Sequence, residues 1–275
     1  MHTQKNSTHQ KPTILVSLAP YQFLTERIAG DEFHVSTVIP LEENPHAYEP
    51  TIGQIQEIAK GTLWLRIGES FEQKVLPMLQ EQNTQLTDVD LCQGLHLLQH
   101  GSHHAHCKCS SSLEDRHTWL SPTVVILQID LITKALSEKF PQHSELFFEN
   151  AKTLVQEFER LDEEIAKILL SASQKSFVVS HPAFAYFCER YHVHQISIEF
   201  EGRDPTPKYL TKIMEEILSS EVKLGIAMPQ HSNKGLEVIS EKLHLHLQTI
   251  DPYAKDCMET MRHLAHVIAH PEYNK

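Results

Sequence analysis

From His143 to Ser171 the chain contains neither glycine nor proline, and this stretch limits the possible folds more than any other. Apolar residues recur along it at Phe147, Ala151, Leu154, Phe158, Leu161, Ile165 and Ile168, in alternating steps of four and three. Glu149, Lys152, Glu159, Arg160, Glu163 and Lys167 fall on the opposite side. One apolar stripe and one charged face describe an amphipathic helix. At about 1.5 Å per residue it would reach roughly 43 Å, enough to run along two small domains. The same heptad-like steps fit a coiled-coil arm, but only about four heptads are present, so a rigid helix within one chain is the preferred reading.

Short apolar runs alternate with longer helical patterns on both sides of this helix. The candidate strands before it are 13–17, 35–39, 63–67 and 86–90; those after it are 176–180, 195–198, 224–227 and 247–250. Their near-continuous apolar character suits strands covered on both faces. Between them lie helical stretches such as Ser70–Gln82, Lys208–Ser219 and Ser232–Leu243. Alternation of this kind predicts an α/β fold with parallel sheets and crossover helices. The expected architecture is two β/α lobes, each with a parallel sheet of about four strands, joined by one long rigid α-helix. The boundaries would be 12–141, 142–171 and 172–275. Thr206-Pro207 and Ser121-Pro122 read as helix caps with proline at the first helical position.

Composition narrows the function classes. No apolar run approaches the roughly 20 residues that cross a bilayer. A net charge of −12 argues against a nucleic-acid partner. The outlier is histidine, with 20 in 275 residues. The five cysteines form no C-x-x-C pair, so neither a zinc ribbon nor a thioredoxin-type redox site is indicated.

Four segments far apart in the chain each carry one potential metal ligand. They are Asn44-Pro-His46-Ala-Tyr-Glu-Pro50, Arg116-His117-Thr-Trp-Leu-Ser-Pro122, Ser180-His181-Pro-Ala-Phe-Ala-Tyr-Phe187 and Ile250-Asp251-Pro-Tyr253. Such spacing is not local chelation; the fold must bring distant loop tips to one point. Three imidazoles and a carboxylate suit a borderline divalent ion. Each residue also has a structural reading: His46 and Asp251 beside prolines as turn residues, His117 as a helix-start group. Most of the loops follow strand ends, the usual ligand edge of such sheets. His46 and His117 come from the first half and His181 and Asp251 from the second, so the site would lie between lobes.

Taken in order, these strings resemble the metal-binding (cluster A-I) substrate-binding proteins of bacterial ABC importers for zinc, manganese or iron. The resemblance runs from about Pro12 to the end, and the "NPHAYEP" and "HTWLSP" strings are its most specific parts. It implies two lobes on one long helix and a receptor rather than an enzyme. The receptor would capture a divalent metal at His46, His117, His181 and Asp251 and pass it to a membrane permease. Zn2+ is the preferred cargo, with Mn2+ or Fe2+ as alternatives, because relatives tuned to those ions commonly carry glutamate where His181 stands. A monomer working outside the inner membrane is implied. Met1–Lys11 shows no apolar core of an export signal, so the resemblance implies a leader already removed.

A second constellation comprises His96, His100, His103, His104 and His106 with Cys107 and Cys109. Histidine-dense tracts of this kind bind zinc weakly by exchanging ligands. The stretch resembles the histidine-rich loop of zinc-type receptors. Two other function classes stand beside the receptor. Three histidines plus water also make a catalytic zinc site, but there is no H-E-x-x-H. Glu49, Glu199 and Glu201 are candidate bases, but each reads better as a solvated or supporting carboxylate. A metal-binding surface adhesin is the third class.

Overall fold

The computed structural model describes residues 11–99, 114–172, 174–199 and 206–272. Two sheets account for every strand in it. The first takes β1 (Thr13–Val16), β2 (His34–Thr37), β3 (Leu63–Arg66) and β4 (Thr87–Asp90) in the order β2-β1-β3-β4, all parallel. The second repeats that order as β6-β5-β7-β8, with β5 (Ser176–Val179), β6 (His194–Ser197), β7 (Leu224–Ala227) and β8 (His246–Thr249). The two halves share a topology without an evident sequence repeat. In each sheet the chain reverses direction of travel beside its first strand, between β1 and β3 and between β5 and β7. Such switch points, at the carboxyl ends of strands, are where open α/β sheets bind ligands.

Each predicted strand is present, shifted by no more than a residue or so at its ends. Central strands are buried on both faces, as Leu63, Trp64 and Leu65 of β3 and all four residues of β7 show. The edge strands β4 and β8 are not: Thr87 and His246 are exposed. The other edge strand of the second sheet, β6, is covered, with Gln195, Ile196 and Ser197 buried, so cover is incomplete at the β4 and β8 edges in particular.

The long helix, α5, spans Ser144–Leu170, 27 residues. Its buried stripe is Phe147, Ala151, Leu154, Phe158, Leu161, Ile165 and Leu169. The last step falls on Leu169 rather than Ile168, because a 3.6-residue helix drifts away from a strict 3.5-residue repeat. The stripe packs against α1 (Ala19–Ala29) and α4 (Pro122–Lys139) of the first half and α9 (Cys257–Ala269) at the chain's end. It is thus embedded rather than a bare rod. Ion pairs flank it: Arg27 of α1 with Glu157 at 2.7 Å, Arg190 of α6 (Ala185–Tyr191) with Asp162, and Arg262 of α9 with Glu164 at 2.9 Å.

The main hydrophobic core is continuous from one half to the other, from Ile14 and Trp64 through α5 to Phe177, Tyr253 and Leu264. A smaller core around Val178, Ile196, Ile213 and Leu236 lies on the other face of the second sheet. Thr206 caps α7 (Pro207–Ser219), its hydroxyl accepting from Tyr209 N at 3.3 Å, as its sequence suggested. Ser121 begins α4 before Pro122 without such a bond and meets Thr123 Oγ1 at 3.2 Å instead. Cys92, Cys188 and Cys257 are buried thiols. Cys107 and Cys109, like His100, His103, His104 and His106, lie outside the described residues.

Candidate metal centre

His46 sits in the loop after β2, in a turn its own sequence builds. Asn44 Oδ1 accepts from His46 N at 2.9 Å, and Tyr48 anchors the loop, its ring against Phe71 and its hydroxyl donating to Val38 O at 3.1 Å. The His46 side chain is 33% exposed. Its Nδ1 lies 3.4 Å from Glu69 Oε2 in the loop after β3. Burial opposes charge on the His46 ring, but the Glu69 contact, with Glu199 and Asp115 farther off, outweighs it and raises the pKa.

His117 lies at the head of a short 3-10 turn, Thr118–Leu120, that leads into α4. Its side chain is fully buried. Asp115 Oδ1 accepts from both its backbone N, at 2.9 Å, and its Nδ1, at 2.7 Å. The rest of that motif is structural. Trp119 is buried and donates to Pro252 O at 2.7 Å, tying this loop to the second half. Arg116 lies over Gly68, a left-handed residue at φ +84° where any side chain would run into the guanidinium.

His181 directly follows β5, with 7% of its side chain exposed. Its Nδ1 meets Glu199 Oε2, in the loop after β6, at 2.7 Å. A carboxylate can only accept, so in both buried rings Nδ1 donates, and in the neutral ring that tautomer turns the Nε2 lone pair inward. These two Nε2 atoms are 3.3 Å apart. Two ligands held about 2.0–2.1 Å from one tetrahedral zinc stand roughly 3.3 Å from each other. The His46 ring closes the third side, 5.3 Å and 5.0 Å centre to centre from the other two. One donor atom from each of His46, His117 and His181 lies within 4.8 Å of the rest.

The structure does not bring Asp251 to them. Among the described residues, it belongs to no group of converging donors. Its Oδ1 instead accepts from Tyr253 N at 2.8 Å and from Gln230 Nε2 at 3.1 Å, and the same amide donates to Leu41 O of the first half. The carboxylate shapes a turn and a bond between halves. His96 is described and exposed, at the foot of the histidine-dense stretch.

A residue the sequence reading passed over stands beside the three. His231 follows β7, its ring stacked on His181 at 4.0 Å and 12°. Its Nε2 is 3.2 Å from Tyr253 Oη and its Nδ1 is 3.9 Å from Glu199 Oε2. Burial, then the neighbouring His46 and His117, push its pKa down to about 3, so the ring is neutral. A signal existed: His231 follows the third strand of its half, the place Glu69 takes in the first. Asp115, two residues before His117, had the spacing of a side chain that caps its own turn.

Comparison with known proteins accords with this geometry. Residues 14–270 match the family model described as "Zinc-uptake complex component A periplasmic". The chain belongs to this zinc-uptake component A family. Its members are metal-binding solute receptors of ABC importers and not enzymes. A "putative metal-binding protein" of Chlamydia trachomatis is 33% identical, covering 93% of this chain and 90% of that one. A "zinc-binding lipoprotein AdcA" of Streptococcus pneumoniae is 30% identical over 72% of this chain but only 40% of its own length. Among solved structures, a ZnuA crystal structure superposes with a TM-score of 0.87 at 31% identity, covering 94% of this chain and 98% of that one. A zinc-bound deletion mutant of ZnuA matches at 30% identity, TM-score 0.87, over 97% and 100% of the two chains.

Proposed function

We propose that this chain is an extracytoplasmic zinc receptor that holds one Zn2+ on His46, His117 and His181 and hands it to the permease of an ABC importer. The observation that carries the reading is the pair of Nε2 atoms 3.3 Å apart, each on a ring whose Nδ1 is held by a carboxylate. Both Nε2 atoms point at one place, and a divalent cation there takes a lone pair from each neutral ring. The ring partners Asp115, Glu199 and Glu69 fix orientation and raise the basicity of the donating nitrogens. His46, the exposed member, gives the ion its way in.

Zinc preference follows from the donor set. Three neutral imidazoles with no carboxylate among them favour zinc over the harder manganese. Release needs no chemistry beyond ligand exchange, since imidazole nitrogens bind the ion without covalent change. Work outside the inner membrane is supported by the family's periplasmic description. Chelator-competition titration of the whole chain tests the reading. Zinc should bind at one tight equivalent and exceed manganese by at least about a hundredfold; equal affinities would overturn the zinc assignment. Zinc uptake by vesicles carrying the importer should require the loaded receptor.

A further inference from the structure

The second group of converging donors has no part in the function just described. We propose that His181, Glu199 and His231 form a second divalent-metal position, adjoining the three-histidine site and built from the second half alone. The proposal rests on the receptor reading, because the two positions share His181.

The three residues stand on the loops after β5, β6 and β7, around the switch point of the second sheet. One donor atom from each lies within 4.8 Å of the others. The Tyr253 hydroxyl at 3.2 Å occupies His231 Nε2, while its Nδ1 faces Glu199 Oε2 at 3.9 Å. The side chains are 5% exposed at His231 and 20% at Glu199, so the carboxylate is the open side of the group. A residue needed only to cover His181 could be any flat ring; here it is one with a donor nitrogen turned to the carboxylate. His231 is also not a fourth member of the first group, its ring centre lying 6.2 Å from that of His46.

The two positions use opposite edges of the His181 ring. Nε2 faces His117 and Nδ1 faces Glu199. An ion in the second position takes the place of the proton between Nδ1 and Glu199, and that proton passes to the buffer. Two imidazoles and one carboxylate bind zinc with fewer nitrogen donors than the first site, so the second position is the weaker. It gives a leaving ion somewhere to go. An ion that lets go of His46, His117 and His181 Nε2 is taken up at His181 Nδ1, Glu199 and His231, and a proton from solvent returns to the vacated Nε2.

The test uses the whole chain with zinc. Crystals soaked with one and then several equivalents, measured above the zinc absorption edge, should show anomalous density first at the three histidines and then between His181, Glu199 and His231. His231→Phe keeps the stacked ring and removes the donor. It should lose the second peak, keep the tight dissociation constant within about threefold, and slow release of the tight ion to EDTA severalfold. Absence of the second peak at excess zinc in the unaltered chain would overturn the proposal. So would a tenfold weaker tight site in His231→Phe, which would make His231 a ligand of the first position. An unchanged release rate would refute the passage of the ion between positions. In each case a surviving tight equivalent leaves the receptor reading intact, and its loss from the unaltered chain would end both.

Discussion

At the scale of single residues, each imidazole of the proposed site has a carboxylate on its far side. Three ring–carboxylate pairs, His46–Glu69, His117–Asp115 and His181–Glu199, set the donors before an ion arrives. Loss of a ligand and loss of a ring partner should therefore differ in degree. Calorimetric titration of His117→Ala should show zinc affinity reduced by more than the roughly 10–100-fold expected for Asp115→Ala. Asp251→Ala should cost less than either, since its Oδ1 is held by Tyr253 N and Gln230 and it stands outside the converging donors; a collapse of binding there would restore it to the ligand set. Glu72 supplies a pH test. Its buried carboxylate accepts from Ser17 Oγ and from the backbone N of Ile67 and Gly68, fixing the loop that carries Glu69. Burial, against those hydrogen bonds, raises its pKa from 4.5 to about 7. The folded state then binds more protons than the unfolded chain between those values, so this group removes stability as pH rises across the window. The loss is on the order of 3 kcal/mol at most. Glu72→Gln cannot titrate, so its melting temperature relative to the unaltered metal-free protein should rise by several degrees from pH 5 to pH 8. A constant difference would contradict the raised pKa.

At the scale of elements, α5 and the histidine-dense stretch play opposite parts. α5 is a core element, with Phe158 fully buried between the halves. Phe158→Ala should cost about 3–5 kcal/mol in chemical denaturation. Zinc affinity of the folded fraction should change little, because no donor sits on that helix. The histidine-dense stretch leaves the described fold at Gln99 and returns at Glu114, which form an antiparallel bridge. Just inside that bridge, Asp115 N donates to Leu98 O at 2.7 Å, and the Tyr186 hydroxyl accepts from Leu98 N and donates to Asp115 O. The His117 turn is thus held from outside the stretch. Deleting residues 100–113 should lower the total zinc bound and leave the tightest constant nearly unchanged. Loss of tight binding on that deletion would mean the stretch supplies primary ligands.

At the scale of the whole molecule, the halves are joined by more than one connection. The core is continuous through α5, Trp119 reaches Pro252, Gln230 reaches Leu41, and Lys255 pairs with Glu26 at 2.7 Å. Wide closure about a hinge would have to break these together. Small-angle scattering of metal-free and zinc-loaded protein should give nearly equal radii of gyration, while hydrogen exchange slows in the loops around His46 and His181. Marked compaction on loading would show that the halves swing.

The sequence determined what is periodic or local. Alternating apolar runs gave the eight strands, because a buried strand needs little more than continuous apolar residues. The stripe from Phe147 to Ile165 gave α5, because helix periodicity is written in consecutive residues. The convergence of His46, His117 and His181 was legible because each stands in a local string, beside a proline, before a helix start or after a strand end. Tertiary structure alone decided the rest. Asp251 shares its local pattern with ligands, yet Gln230, brought to it by the fold, joins the neighbouring Tyr253 N on its Oδ1. His231 has no motif of its own and gains its place only because β7 lies next to β5, which sets its ring on His181. Convergence of donors is a property of strand order, and strand order is set by the packing of both sheets and not by the residues beside each ligand.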